Sequence, residues 1–238
     1  MPARQQLAPE TLHPSLWLGH QLGRRSDSGL PSGFAALDAE LPGGGWPRAC
    51  LTELLQSRAG IGEIRLLAPT LVRAQTRHVM LFDPPMQLAA EVLQSYGLDL
   101  DQVLVVSTRS RTLPGTDSLW SLEQTLKSGH VGAVVAWLPP RLRAERVRRL
   151  QLAAHNHDGA AFVIREIAVA DRPSPSPLRL SLRPGGADQL RIDIVKRRGP
   201  PKLEPLMLQL PSVLSAAAKR RSDTARLAEP AIGRLSTT

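Results

Sequence analysis

Gln56-Ser57-Arg58-Ala59-Gly60-Ile61-Gly62-Glu63 is the stretch of this chain best placed to handle phosphate. It follows an apolar run of strand length, Cys50 to Leu55, and opens a segment, Glu63 to Gln75, in which Ile64, Leu67, Leu71 and Val72 recur at helical spacing. A loop of the form G-x-x-x-x-G-K-[ST] in that position cradles phosphate on its backbone N–H groups. Its lysine reaches the β- and γ-phosphates and its hydroxyl holds magnesium. Here the architecture is present and the chemistry is not. In one register Glu63 takes the lysine position; in the register shifted by one, Gly62 replaces the lysine and Glu63 the Ser/Thr. Either register loses the key cation, and in the first a carboxylate stands in its place, where it is expected to repel phosphate. Arg58 is the one cation inside the loop, and it is not expected to compensate.

Other reactive side chains offer less. His13, His20, His78, His130, His155 and His157 show no metal-ligand spacing; His155 and His157, two apart at a helix end, read as a solvated turn. Ser57 and Ser107 have no His/Asp arrangement to activate them. Cys50 is the single cysteine and lies between Ala49 and Leu51, which reads as a buried structural thiol and excludes a disulfide within the chain. Basic residues are the more informative class. A helix over 141–155 carries Arg141, Arg143, Arg146, Arg148 and Arg149 against Glu145, with Leu142, Val147 and Leu150 as its buried face. A denser group, Lys196, Arg197, Arg198 and Lys202, follows a strand. Both are candidates for contact with DNA or an acidic partner, the alternative being a solvated face. With no aromatic residues between them, a base-stacking platform is not expected.

The elements that must position these groups alternate. Strands are expected at 50–55, 78–82, 103–106, 131–138 and 160–164, with helices at 35–41, 63–75, 86–96, 118–127 and 141–155 between them. Pro69 predicts a kink or an early end in the second helix, and Gly97 and Gly129 are expected to close two others. Strands apolar on both faces and alternating with helices argue a mostly parallel sheet covered on two sides. After 167 the pattern changes. Arg172 to Pro177 reads as a stiff linker or loop. Leu178–Leu182 and Gln189–Val195 then read as an antiparallel ribbon, with a third strand at 205–210. Residues 1–30 are read as an arm, 31–212 as one domain, and 213–238 as a disordered basic tail. The net charge of +9 suits nucleic acid or an acidic protein. No run of apolar residues is long enough to span a membrane and no signal pattern opens the chain, so a cytoplasmic protein is expected.

The order of motifs resembles the RecA superfamily. Gly33-Phe34-Ala35-Ala36-Leu37-Asp38, Leu41-Pro42-Gly43-Gly44-Gly45-Trp46-Pro47 and Leu51-Thr52-Glu53-Leu54 resemble the segment leading into the RecA P-loop. Arg77 to Pro85, Tyr96 to Leu104, Leu119 to Trp137 and Leu190 to Leu210 continue the likeness, which covers roughly residues 30–210. Within that superfamily the chain is most similar to the ImuA family, through the Leu-Pro-Gly-Gly-Gly-Trp-Pro stretch and the Gly-x-Gly-Glu loop. SulA, an SOS cell-division inhibitor, resembles the same chain from Leu51 onward but lacks the glycine-rich lead-in. The resemblance implies a RecA-like fold and, residue by residue, three losses. The P-loop lysine is absent, Pro85 stands at the catalytic glutamate, and Trp137 stands at the Walker B aspartate. It therefore implies a protein without ATPase chemistry, cofactor or metal. ImuA-like proteins are accessories in SOS-induced translesion synthesis. Their expected partners are an ImuB-type Y-family polymerase homologue, an error-prone replicative polymerase α-subunit, RecA and, by the basic clusters, DNA. The alternative implied function is SulA-like inhibition of the division protein FtsZ.

Overall fold

The computed structural model describes residues 28–107, 116–139 and 141–212, with side chains in the second stretch from Ser118. The expected arm, apart from Ser28–Leu30, and the expected tail, 213–238, lie outside these residues. The described strands are β1 (Leu51–Gln56), β2 (Val79–Phe82), β3 (Val103–Val106), β4 (Ala133–Trp137), β5 (Ala160–Glu166), β6 (Leu178–Gly186), β7 (Gln189–Lys196) and β8 (Leu206–Gln209). They form one sheet in the order β3-β2-β4-β5-β1-β6-β7-β8. Every pairing from β3 to β6 is parallel, and the β6–β7 and β7–β8 pairings are antiparallel. The mixed α/β architecture and the antiparallel extension both match the sequence expectation.

The helices are α1 (Ala35–Asp38), α2 (Glu63–Ala74), α3 (Ala90–Ser95), α4 (Thr116–Ser128) and α5 (Ala144–Ala154). One face of the sheet buries Leu54, Leu81, Val135 and Phe162 against α2, and this core extends over Leu180, Ile192 and Leu208 of the antiparallel strands. The opposite face packs Leu51, Phe82, Val134 and Val163 against Leu122 and Leu126 of α4 and Leu150 of α5. Strands buried on both sides leave no room for alternation, which is why β1 is buried at all six positions. Four helices depart from expectation. α1 ends at Asp38, three residues early, and α5 begins only at Ala144, so Arg141 and Arg143 precede the helix expected to carry them. α2 runs through Pro69 to Ala74 instead of ending early, and α3 begins only at Ala90, four residues after the predicted start.

The glycine-rich lead-in is part of the core. Trp46 is fully buried, donates its indole N–H to Thr70 Oγ1 of α2 at 3.0 Å, and meets Phe162 of β5 edge-on at 5.1 Å. Its backbone pairs with Leu30 in an antiparallel bridge, and a Cβ on Gly45 would fall 2.3 Å from the Leu30 carbonyl oxygen, so only glycine admits that approach.

His157 corrects an expectation. It is buried, at 1% exposure, and does not sit in a solvated turn. Its Nε2 lies 3.4 Å from the Ala160 carbonyl, its Nδ1 has no partner among the described residues, and burial lowers its pKa from the ordinary 6.5. The folded state therefore favours the neutral ring. That stabilisation is complete above 6.5 and is lost as the pH falls through the lower folded value. Glu123 adds a second, more acidic limb. A hydrogen bond from Lys127 holds its carboxyl below the ordinary 4.5, so its contribution is full above 4.5 and lost below it. The urea midpoint, read by tryptophan fluorescence, is expected to fall in two stages as the medium is acidified. His157→Gln should flatten the upper stage and leave the lower one.

Candidate functional site

β1 ends at Gln56 and α2 begins at Glu63, so the loop 57–62 lies at the C-terminal edge of the parallel strands, where open α/β sheets bind ligands. Gly62 caps α2 in a left-handed conformation, φ 118°, and a Cβ there would lie 2.7 Å from Leu210 Cδ1. Two of the loop's backbone donors, at Gly60 and Gly62, are already in use. Glu63, buried at 4% exposure, turns its own carboxylate back over the start of its helix. Oε1 accepts the Gly60 N–H at 2.8 Å and the Gln56 side-chain amide at 3.4 Å, and Oε2 accepts the Gly62 N–H at 3.1 Å. An anion is favoured at a helix N-terminus by the dipole and the unpaired N–H groups, and here the chain supplies that anion itself. The expected repulsion between Glu63 and phosphate thus takes a more specific form: the carboxylate occupies the cradle.

Around this loop the sheet gathers the other two positions that sequence singled out. Pro85, just past β2, and Trp137, the last residue of β4, line one cavity of about 220 Å³ together with Gly60, Gly62 and Glu63. Strand order explains the convergence, because β4 stands next but one to β1, across β5, and all three are parallel. The remaining wall is largely apolar and includes Met86, Leu88, Val92 and Tyr96. Trp137 Nε1 is buried without a hydrogen-bond partner among the described residues. Among the described residues, Glu63 is the one acid lining this cavity and it is buried, and no cluster of His, Cys, Asp or Glu could hold a metal. Ser57 and Arg58 are exposed, Ala59 is partly covered and Ile61 is buried.

The extension strands close the site from one side. Arg65 of α2 pairs with Asp188, in the β6–β7 turn, at 2.8 Å, and donates to the Pro211 carbonyl at 3.2 Å. Asp83, read as a turn former, adopts φ 48° after β2 and accepts a hydrogen bond from Ser118 Oγ of α4.

The basic candidates divide into two groups. Arg149 pairs with Glu123 at 2.8 Å and clamps α5 to α4. Arg197 and Lys202 both grip Glu40, at 3.0 and 2.5 Å, and so fasten the β7–β8 connection to the lead-in. Lys196 donates to the Ser174 carbonyl. By contrast, Arg141, Arg143, Arg146, Arg148 and Arg198 are exposed, with no ion pair among the described residues. Cys50 is buried as expected, and burial pushes its thiol up to about 11.

One functional-looking group escaped the sequence reading. Glu53, in the middle of β1, is fully buried. It binds the hydroxyls of Ser174 and Ser176 and the guanidinium of Arg179, with Arg165 at 3.6 Å. The Pro-rich stretch 172–177 is therefore pinned to the sheet. A lone acid inside Leu51-Thr52-Glu53-Leu54-Leu55 was the available signal.

A family model described as cell division inhibitor SulA matches residues 52–161, from the second residue of β1 to the second of β5. The segment is 29% identical over 110 residues to the cell division inhibitor SulA of Klebsiella aerogenes, covering 45% of this chain and 63% of that protein. It is 30% identical over 105 residues to the SulA of Citrobacter koseri, covering 43% and 60%. It is 28% identical over 107 residues to that of an Escherichia coli strain, O81, covering 44% and 61%. The chain thus spans less than two thirds of each of these relatives. The likeness includes the loop, Glu63, Pro85 and Trp137, and excludes the glycine-rich lead-in and β6–β8.

Proposed function

We propose that this chain is a non-enzymatic protein of the bacterial SOS response that acts by binding another protein. The observation that carries the reading is the SulA match across residues 52–161, and the comparisons favour the SulA type of activity, inhibition of cell division. The absence of turnover is supported by the site itself. Glu63 fills the cradle, and neither Pro85 nor Trp137 offers a group to take a proton or bind magnesium. A RecA-like lineage for the fold is supported by the strand order, with β5 between the loop-bearing and Trp137-bearing strands.

A second reading, the ImuA-like accessory of translesion synthesis, rests on what the SulA match omits. Trp46 of the lead-in is a core residue, while Asp188, Leu210 and Pro211 of the extension contact α2 or its cap. The folded unit is thus larger than the matched segment, and its added parts abut the candidate site. The partners on this reading are an ImuB-type polymerase homologue, an error-prone replicative polymerase α-subunit and RecA. One pair of measurements separates the two. On the SulA-type reading, the purified chain lowers FtsZ polymerisation in proportion to its concentration, and its expression makes cells filament. Normal division with undisturbed FtsZ, together with co-purification of the polymerase pair or RecA, overturns it in favour of the second. Neither result leaves both partner readings without support.

A further inference from the structure

At the end of the sheet opposite Glu63, the chain entering β1 borders a cavity of about 290 Å³. Among the described residues, its charged lining consists of two arginines, Arg48 and Arg198. Arg48 precedes β1, Arg198 follows β7, and His155 and Gln151 come from the end of α5. Pro42, Pro47 and Pro177 supply stiff walls, and no carboxylate among the described residues lines the cavity. Cys50 lines the cavity along with Arg198.

The cations here differ in how fully they are employed. Arg48 is positioned by the fold, donating to the Ser28 carbonyl at 3.3 Å and the Asp158 carbonyl at 2.9 Å, with no carboxylate of its own. Arg198 is exposed and has no partner among the described residues. Gln151 accepts the Leu51 N–H on its Oε1 at 3.0 Å, so its NH2 faces His155 Nε2 at 3.4 Å. Glu40, the nearest acid in sequence to Pro42, is already neutralised by Arg197 and Lys202.

The charge continues along α5. Arg148 precedes His155 by seven residues, two helical turns, so it lies on the same flank about 10 Å farther up the helix. It is exposed and unpaired among the described residues. A pocket lined by two arginines, followed about 10 Å away by another free guanidinium, can meet more than one phosphate of an extended strand. Arginine favours phosphate oxygens because its fork of donors can engage two at once.

We propose that this cavity, lined by Arg48, His155 and Arg198 and with Arg148 beyond, is a site for the phosphodiester backbone of nucleic acid. The contact is with phosphate and carries no sequence preference. It lies on the far side of the sheet's strands from the closed cradle and does not depend on which protein the chain binds.

The test is fluorescence anisotropy of a labelled single-stranded DNA with the full chain over a series of salt concentrations. Arg198→Ala and Arg148→Ala are the informative variants, since neither side chain holds the fold together. Arg183→Ala is the control, an exposed arginine at the other end of β6. The wild type and the control should bind alike. Each informative variant should bind several-fold more weakly, with the slope of log K against log salt reduced by about one. Equal affinity in all four proteins overturns the site. So does displacement of the DNA by inorganic pyrophosphate at matched ionic strength, which marks a small-anion pocket. Binding of polyglutamate but not DNA also overturns it, in favour of an acidic protein partner.

Discussion

Glu53→Ala is expected to lower the unfolding free energy by about 3–5 kcal/mol, the usual cost of removing one partner from a buried ion pair. Glu53 has no exposed surface, and its two oxygens organise three separate parts of the chain. Oε1 receives the hydroxyls of Ser174 and Ser176, and Oε2 receives Arg179 Nε at 3.1 Å with Arg165 at 3.6 Å. Arg179 in turn ties down the carbonyls of Val169, Ala170 and Arg172. Without the carboxylate, two guanidiniums stay buried side by side. Arg165 already has its pKa lowered by burial, and its Nε has no partner among the described residues. Against a typical domain stability of about 5–15 kcal/mol, the loss is a large fraction. Glu53→Gln keeps the shape and some hydrogen bonds, so its cost should be smaller. Adding Arg165→Met to Glu53→Ala should recover part of the loss, because it removes the more poorly satisfied of the two stranded charges. Urea unfolding of the four proteins measures all of this. A cost near zero for Glu53→Ala would mean that water reaches the cluster and that the Pro-rich segment is held by other contacts.

The contrast between Glu53 and Glu63 shows what a sequence can and cannot disclose. The alternating α/β plan was legible because each strand is an apolar run bounded by turn residues. The antiparallel ribbon was legible because Leu178–Leu182 and Gln189–Val195 change to alternating patterns around a Pro-Gly-Gly turn. Glu63 was legible as the wrong residue for a phosphate loop, since in either register it stands where the loop needs a lysine or a hydroxyl. Where its carboxylate goes was not legible, because that depends on Gly60 and Gly62 presenting their N–H groups to it. The convergence of Pro85 and Trp137 needed strand order, which no local pattern carries. The basic clusters illustrate the same limit. Arg197 and Arg198 are adjacent in sequence, yet one grips Glu40 across the molecule and the other borders a cavity at the opposite end of the sheet from Glu63. Glu53 and Arg165 lie 112 residues apart, and only the parallel pairing of β1 with β5 brings them together.

Glu63→Ala is expected to convert a closed loop into an anion-binding one. The Gly60 and Gly62 N–H groups lose their acceptor while the geometry that aimed them, including the left-handed Gly62 at the cap of α2, remains. Stranding these donors at a helix N-terminus should cost roughly 1–3 kcal/mol of stability. A small multivalent anion should then restore it, since phosphate or pyrophosphate can enter the vacated cradle and take both hydrogen bonds along with the helix dipole. Ligand at a hundred times its dissociation constant adds about 2.7 kcal/mol to the folded state. The wild type should gain nothing from pyrophosphate beyond what an equal ionic strength of chloride provides, because its cradle is filled. Glu63→Gln separates charge from shape. Its single carbonyl oxygen can accept only part of what the carboxylate does, and its amide blocks the pocket, so it should lose stability without gaining anion affinity. Thermal melts of the three proteins with and without pyrophosphate give the comparison, and heats of binding confirm it. Equal responses of wild type and Glu63→Ala would mean that the carboxylate is not what keeps phosphate out. Even in the opened variant, ATP should be bound without turnover, since Pro85 cannot activate water and Trp137 cannot hold magnesium through it. ATP hydrolysis by Glu63→Ala would show that the site retains a catalytic group that neither position supplies.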